Sequence, residues 1–387
     1  MPRLSYRERL IQRLFRWHRR IHAKLHDLTY LAWQCTLRCN LACRHCSADC
    51  GGEPPHEDMP LADFLRVVDR VAEVGDPAQT MIGLTGGEPL LRPDLEACGT
   101  AFARRGFRWG IVTNGYVLSP DRFEALMDAG LTNLSISLDG LEESHNWLRR
   151  RPDSFQRTIA AVAVAAQRTD LDLDVITCVN QRNISELDDL RRPLIDKGVR
   201  KWRVETIFPK GRAEANPELD VTNEQFRDLM AFLKATRREG QINARYACEG
   251  YLGAYERQVR DRNYFCWAGI NLGSVLVDGS ISACPSLGRE FIQGNIYEDD
   301  FIEVWNTRYE IMRDRRWTRT GKCAACEAYK WCEGNGLHLR DLRTGEVLRC
   351  HLGMLEDALP TRAPIPKRPV AIPGRHDPAT ADGISRG

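Results

Sequence analysis

The 387-residue sequence predicts an α/β fold: six β-α units forming an open, partial (β/α)6 barrel, followed by a small cysteine-rich domain with a β-hairpin. Two observations point there. Across residues 28–212, short apolar, β-branched runs alternate with stretches of helical period. Strands that alternate with helices pair in parallel through right-handed crossovers, and six units are too few to close an eight-stranded barrel. Across residues 266–358 the texture changes to loops, an Asp-Gly turn and closely spaced cysteines.

The elements follow in order. Residues 1–27 predict a basic amphipathic helix, with eight Lys/Arg against one acid, Glu8, in the first twenty-five positions. Leu10, Leu14, Trp17, Ile21 and Leu25 recur there at helical spacing. Such a helix either makes a weak contact with an anionic membrane surface or a partner, or docks on its own protein with a solvated basic face. Strands are predicted at 29–35, 81–85, 109–113, 133–138, 173–179 and 201–208, and helices at 61–74, 92–105, 120–129, 154–167 and 185–197. Residues 213–265 read as a helical connector, since Phe226, Met230 and Leu233 share a helical face. Residues 274–277 and 280–283 then read as two strands joined by Asp278-Gly279. Residues 359–387, with Pro364, Pro366, Pro369, Pro373 and Pro378, predict a disordered tail.

Composition narrows the class. Hydrophobic residues are 43% and charged residues 28%, an ordinary globular balance, and a net charge of +2 gives no electrostatic reason to bind nucleic acid. No apolar run is long enough to span a bilayer, and the N-terminus lacks the apolar core of a secretory signal, which favours the cytoplasm. Fourteen cysteines there should stay reduced, and thiols at short spacing read as metal or cluster ligands. Cys98, Cys178 and Cys248 stand apart and read first as small core residues.

The first strand runs into Cys39, Cys43 and Cys46, spaced Cys-x3-Cys-x2-Cys. This spacing resembles the signature of the radical S-adenosylmethionine (SAM) superfamily. The resemblance implies a 4Fe-4S cluster with three protein thiolates, whose fourth iron takes the amino and carboxylate groups of SAM; reductive cleavage then yields a 5′-deoxyadenosyl radical. It also implies a low-potential electron donor such as flavodoxin or ferredoxin. Zinc is the competing reading, with Cys35 or Cys50 as a fourth ligand.

Further motifs stand at the ends of the next strands. Gly86-Gly87-Glu88 is similar to the family segment that holds the methionine ammonium. Asn114 ends the third strand; Ser137, and second Asp139, end the fourth, where the family places polar groups near the ribose. Arg149 is the candidate for the methionine carboxylate, and His45 stands where the family's ring lies near the adenine.

The terminal cysteines resemble the SPASM domain attached to many radical enzymes that modify peptides. Cys323, Cys326, Cys332 and Cys350 match one complete four-thiolate set, which implies one auxiliary 4Fe-4S cluster, with zinc as the alternative. Cys266 and Cys284 are what remains of a second set, because Gly336 replaces an expected cysteine; Cys248 is a candidate extra donor. The resemblance implies hydrogen abstraction from a peptide or protein side chain. Tetrapyrrole side-chain modification is an alternative, as is a non-catalytic iron-sulfur electron carrier or redox sensor.

Overall fold

A computed structural model describes residues 6–214, 216–247 and 249–356. Its centre is one ten-stranded sheet in the order β10-β9-β8-β1-β2-β3-β4-β5-β6-β7. The six expected strands are β1 (Tyr30–Thr36), β2 (Met81–Gly86), β3 (Arg108–Thr113), β4 (Leu131–Ser137), β5 (Asp172–Val179) and β6 (Lys201–Thr206), all parallel. The first helix of the chain is α1 (Tyr6–Leu25). The crossovers carry α2 (Leu61–Val74), α3 (Leu95–Arg104), α4 (Pro120–Asp128), α5 (Glu142–Arg149), α6 (Ser154–Ala165) and α7 (Leu187–Asp196). Their apolar stripes cover the outer face of the sheet: Phe64, Val67, Val68 and Val71 of α2 are buried there, and Trp33 of β1 stacks on Phe64 at 4.2 Å.

The segment expected as a helical connector holds only one α-helix among its described residues, α8 (Asn223–Glu239), capped by a Thr222/Gln225 box and ended by left-handed Gly240. It is followed by β7 (Asn243–Tyr246), which pairs parallel with β6. Four residues are too short a run for period-2 alternation to stand out beside seventeen helical ones. The hairpin also lies elsewhere than expected. β8 (Leu272–Val275) and β9 (Ser280–Ser282) are antiparallel, but β8 pairs parallel with β1, so the hairpin extends the barrel sheet. β10 (Gly294–Asn295) follows at the edge. The result is eight parallel strands ending in β7 on one side and the hairpin on the other.

After the sheet come α9 (Phe301–Thr307), α10 (Glu310–Arg313), α11 (Tyr329–Cys332) and α12 (His351–Leu355), linked by turns. The N-terminal helix α1 docks on this region through a buried cation: Arg19 donates to the carbonyls of Trp331 (2.7 Å) and Lys330 (3.3 Å) and pairs with Glu333 at 3.0 Å. The stripe of Leu10, Leu14, Trp17 and Leu25 points to solvent instead. Cys98 is fully buried in the main core, as a small apolar residue would be. Cys248 and the tail 359–387 lie outside the described residues. No helix among the described residues is long and apolar enough to cross a membrane.

Candidate functional site

The cysteine loop leaves β1 at Thr36 and is stapled to the end of β2 by two glycines. A Cβ at Gly86 (φ +144°) would sit 2.0 Å from the Thr36 carbonyl, and one at Gly87 2.2 Å from that of Arg38. In that close approach the amides of Gly87 and Glu88 donate to the same two carbonyls at 2.8 Å. Asn114 secures the loop from β3 by donating to Asn40 Oδ1 at 2.9 Å, and Arg212 secures it from beyond β6 by donating to the Cys43 carbonyl at 2.7 Å. Cys43 is buried with Leu41 and Tyr116, and Cys39 and Cys46 pack against the same cluster.

Glu88 braces the strand ends. Fully buried, its carboxylate accepts from Thr113 Oγ1 (2.6 Å), Asn114 N (2.8 Å) and Leu90 N (3.1 Å). A carboxylate has roughly four acceptor positions, so one remains for an ammonium. Burial pushes its pKa up against these hydrogen bonds.

Of the three consecutive arginines only Arg149 turns inward. Helix α5 ends there because Arg150 takes the left-handed conformation (φ +57°), while Arg151 stays outside over the Tyr116 ring. Arg149 Nε lies 2.6 Å from Asp139 Oδ2, and its Nη1 lies 3.6 Å from Cys43 Sγ. Asp139, the second candidate for the ribose, is engaged with Arg149 here. It is fully buried, accepts from Cys178 N at 2.9 Å, and orients Arg149, as its ordinary position after a strand could not reveal. Burial would raise its pKa, but Arg149 and the two nearby histidines hold it below the usual carboxylate value. Ser137 ends β4 half-buried beside β5.

His45, Asp139 and Cys178 bring ligand atoms within 4.8 Å of one another, the only such His/Cys/Asp/Glu trio among the described residues. Cys178 thus stands beside the site while also packing, as a small apolar residue would, against the cluster of Leu148, Ile207, Ala213 and Leu219; its thiol also reaches Glu205 Oε1 at 3.5 Å. Burial raises Glu205 to about 7, and Glu205 carried no signal in the sequence beyond its place near the end of β6.

The residues fit the group that the motif implies. His45 Nδ1 and Asn40 Nδ2, both on the cysteine loop, are buried without a protein partner, so each is open to a polar group, water or ligand. Burial, then the neighbouring Arg149, lowers His45 to about 4, so the ring is neutral and can accept. The triad does not close to single-ion spacing: thiolates around zinc would stand roughly 3.8 Å apart, from Zn–S bonds of about 2.3 Å, whereas no cysteine trio among the described residues falls within 4.8 Å. A four-iron cluster spreads its thiolates over separate irons. Of the rival fourth ligands, Cys35 is fully buried in the main core on the helix-covered face of β1. Cys50 does approach, its amide donating to Cys46 Sγ at 3.4 Å. The Cys50 thiol hydrogen bond is the main reason that Cys46 falls to about 6.

The second thiol set forms around α11. Burial raises Cys323, Cys350 and Cys332, the last to about 12, and each is raised further by the other thiols of the set. Arg340, 1% exposed, was invisible in the sequence. Its Nη2 stands 3.1 Å from Cys323 Sγ, and its remaining donors go to the carbonyls of Thr318, Gly334 and Gly345 and to Thr320 Oγ1. A fixed guanidinium offsets the charge of a four-thiolate cluster.

Cys266 and Cys284 pack against the main core. At the missing position, a Cβ on Gly336 would lie 2.6 Å from His338 Cε1 and 2.8 Å from the Glu249 carbonyl. Gly336→Cys is therefore expected to add no iron and to destabilise the fold by about 1–3 kcal/mol, as overpacking does. A stable variant with extra iron, by denaturant titration and iron analysis, would contradict this.

One cysteine cluster thus lies at the end of the partial parallel barrel and a second around α11 beyond it, the arrangement expected of an iron-sulfur enzyme. The Radical SAM superfamily model matches residues 33–194, and the SPASM iron-sulfur cluster-binding domain matches residues 266–327. The chain is 29% identical over 322 residues to an AdoMet-dependent heme synthase of Methanosarcina barkeri, covering 79% of this chain and 90% of that one. It is also 29% identical over 319 residues to the mycofactocin maturase MftC of Mycolicibacterium smegmatis, covering 79% and 76%. In fold it is similar to Streptococcus suis SuiB bound to S-adenosylmethionine, with a TM-score of 0.62, 20% identity and coverage of 81% and 75%. This chain is a radical SAM enzyme with a C-terminal SPASM domain. Its cofactors are a 4Fe-4S cluster, S-adenosylmethionine and an auxiliary iron-sulfur cluster.

Proposed function

We propose that Cys39, Cys43 and Cys46 hold the SAM-binding cluster, that Cys323, Cys326, Cys332 and Cys350 hold the auxiliary one, and that the enzyme takes hydrogen from a peptide or protein side chain. When bound, the cluster and SAM supply a 5′-deoxyadenosyl radical. The observation that carries the site assignment is Arg149, a buried cation fixed by Asp139 and set 3.6 Å from Cys43 Sγ. A guanidinium so held recognises a carboxylate placed beside the triad. Glu88 keeps one acceptor for an ammonium and His45 a ring nitrogen for a polar edge, so the two ends of an amino acid are distinguished by charge. The stapled loop and the burial of Cys43 keep water from the reacting region. Cys266 and Cys284 hold no complete cluster under this reading.

The peptide class is supported by the SPASM domain together with the likeness to mycofactocin maturases. A second reading, tetrapyrrole side-chain modification, is favoured by the chain's spanning 90% of the heme synthase. The test is anaerobic reconstitution, reduction, and mass spectrometry of peptides encoded beside this gene and, separately, of iron porphyrins. A mass change in a peptide with release of 5′-deoxyadenosine is expected. A change confined to the porphyrin would overturn the peptide assignment, and a fully loaded protein yielding no 5′-deoxyadenosine would favour an electron carrier or sensor.

A further inference from the structure

Helix α1 is two-faced: Ile11 and Phe15 are half-buried on its inner side, but most of its large apolar side chains lie on the outer one. Its inner side carries the polar anchors: Arg19 and Gln12 are buried, Arg19 stacks over Phe265 at 5.2 Å, and His22 meets the Trp267 ring at 5.7 Å. Its outer side carries Tyr6, Leu10, Leu14, Trp17 and Leu25, which are 46–77% exposed. Only four other large hydrophobic residues among the described ones are as openly exposed, at 37–60%: Val74, Val117, Tyr297 and Leu348. The spacing of four, four, three and eight residues puts the five on one stripe, with half-buried Ile21 filling the gap. Singly scattered apolar side chains need no partner, but a continuous stripe on an anchored helix does.

The borders of the stripe say what covers it. Arg7, Arg9, Arg13, Arg20 and Lys24 are exposed, whereas Glu8, the acid of the described helix, faces the protein and lines a cleft with Gly253 and Glu256. A second copy packed symmetrically on the stripe would bring these five cations against their own kind. An anionic bilayer satisfies both parts. Leu10 and Leu14 enter the acyl boundary, Trp17 and Tyr6 sit at headgroup depth, and the flanking cations meet lipid phosphates. We infer that α1 is an interfacial helix that docks the enzyme on an anionic membrane surface through Leu10, Leu14 and Trp17, while Arg19 fixes the helix to the SPASM region. This contact is independent of the substrate reading.

Flotation of the full-length, cluster-loaded protein tests it, using vesicles of phosphatidylcholine with phosphatidylglycerol and vesicles of phosphatidylcholine alone. The wild type is expected to float with the anionic vesicles and to be released by raised salt. The double variant Leu14→Glu, Trp17→Glu should lose roughly tenfold or more in partitioning. Its iron content and melting temperature should not change, because both side chains are exposed. Arg13→Ser with Arg20→Ser should weaken binding to the anionic vesicles alone. Absence of flotation would overturn the inference. So would equal flotation with both vesicle types, undiminished flotation of the double variant, or a stripe-dependent dimer in sedimentation without lipid binding.

Discussion

Replacing Cys43 with alanine should abolish 5′-deoxyadenosine formation and remove about four irons per chain, leaving the distal cluster in place. Cys43 is the most buried of the three loop thiols and the one that Arg149 faces. Two remaining thiolates do not hold a cubane, and the Arg149 guanidinium would then have no cluster edge to stand beside. The reciprocal change, Cys326→Ala, should remove a similar amount of iron while sparing the spectrum of the first cluster. Iron analysis and product assay on the two variants separate the sites. Retained cleavage in Cys43→Ala would contradict the ligand assignment, and unchanged iron with lost zinc in Cys326→Ala would establish the distal site as zinc.

Asp139→Ala should cost about 3–5 kcal/mol of stability, because it leaves Arg149 charged and unpaired in the interior. The same change frees Arg149 from its fixed direction, so SAM binding should weaken even in the surviving folded fraction. The pH dependence carries a second signature. The folded-state pKa of Asp139 is depressed, so its contribution is present above the unfolded value of about 3.9 and is lost as pH falls through the folded value. The variant should therefore show a shallower loss of stability on acidification. Denaturant titrations at neutral and acid pH measure both effects, and a variant as stable as wild type would show that the pair is not the support described.

The cysteine spacing and Arg149 were legible in the sequence, and folding brings Cys39, Cys43 and Cys46 to one cluster with Arg149 facing Cys43. The supporting residues were not. Asp139 reads as the start of an ordinary Asp-Gly loop, yet its carboxylate is what aims Arg149. Nothing local in the sequence tells that β5 also sets Cys178 beside His45, or that folding carries Arg340 to Cys323. These are long-range juxtapositions with no local period or spacing to mark them. The six barrel strands were readable from their alternation with helices, whereas β7 was hidden by its length and the pairing of β8 with β1 by the change of texture that suggested a separate sheet. Helical period placed α1, but period alone cannot say which face docks. The buried Arg19 decided that against the apolar stripe.

The central claim is that the chain caps three corners of its first cluster and leaves the fourth to SAM. Cys50, whose amide lies 3.4 Å from Cys46 Sγ, is the side chain best placed to deny it. Electron paramagnetic resonance of the reduced protein, with and without SAM, in wild type and Cys50→Ala is the direct measurement. A signal that changes on SAM addition in both proteins is the predicted result. A wild-type signal indifferent to SAM, with the cluster lost from Cys50→Ala, would mean that the protein fills that corner itself.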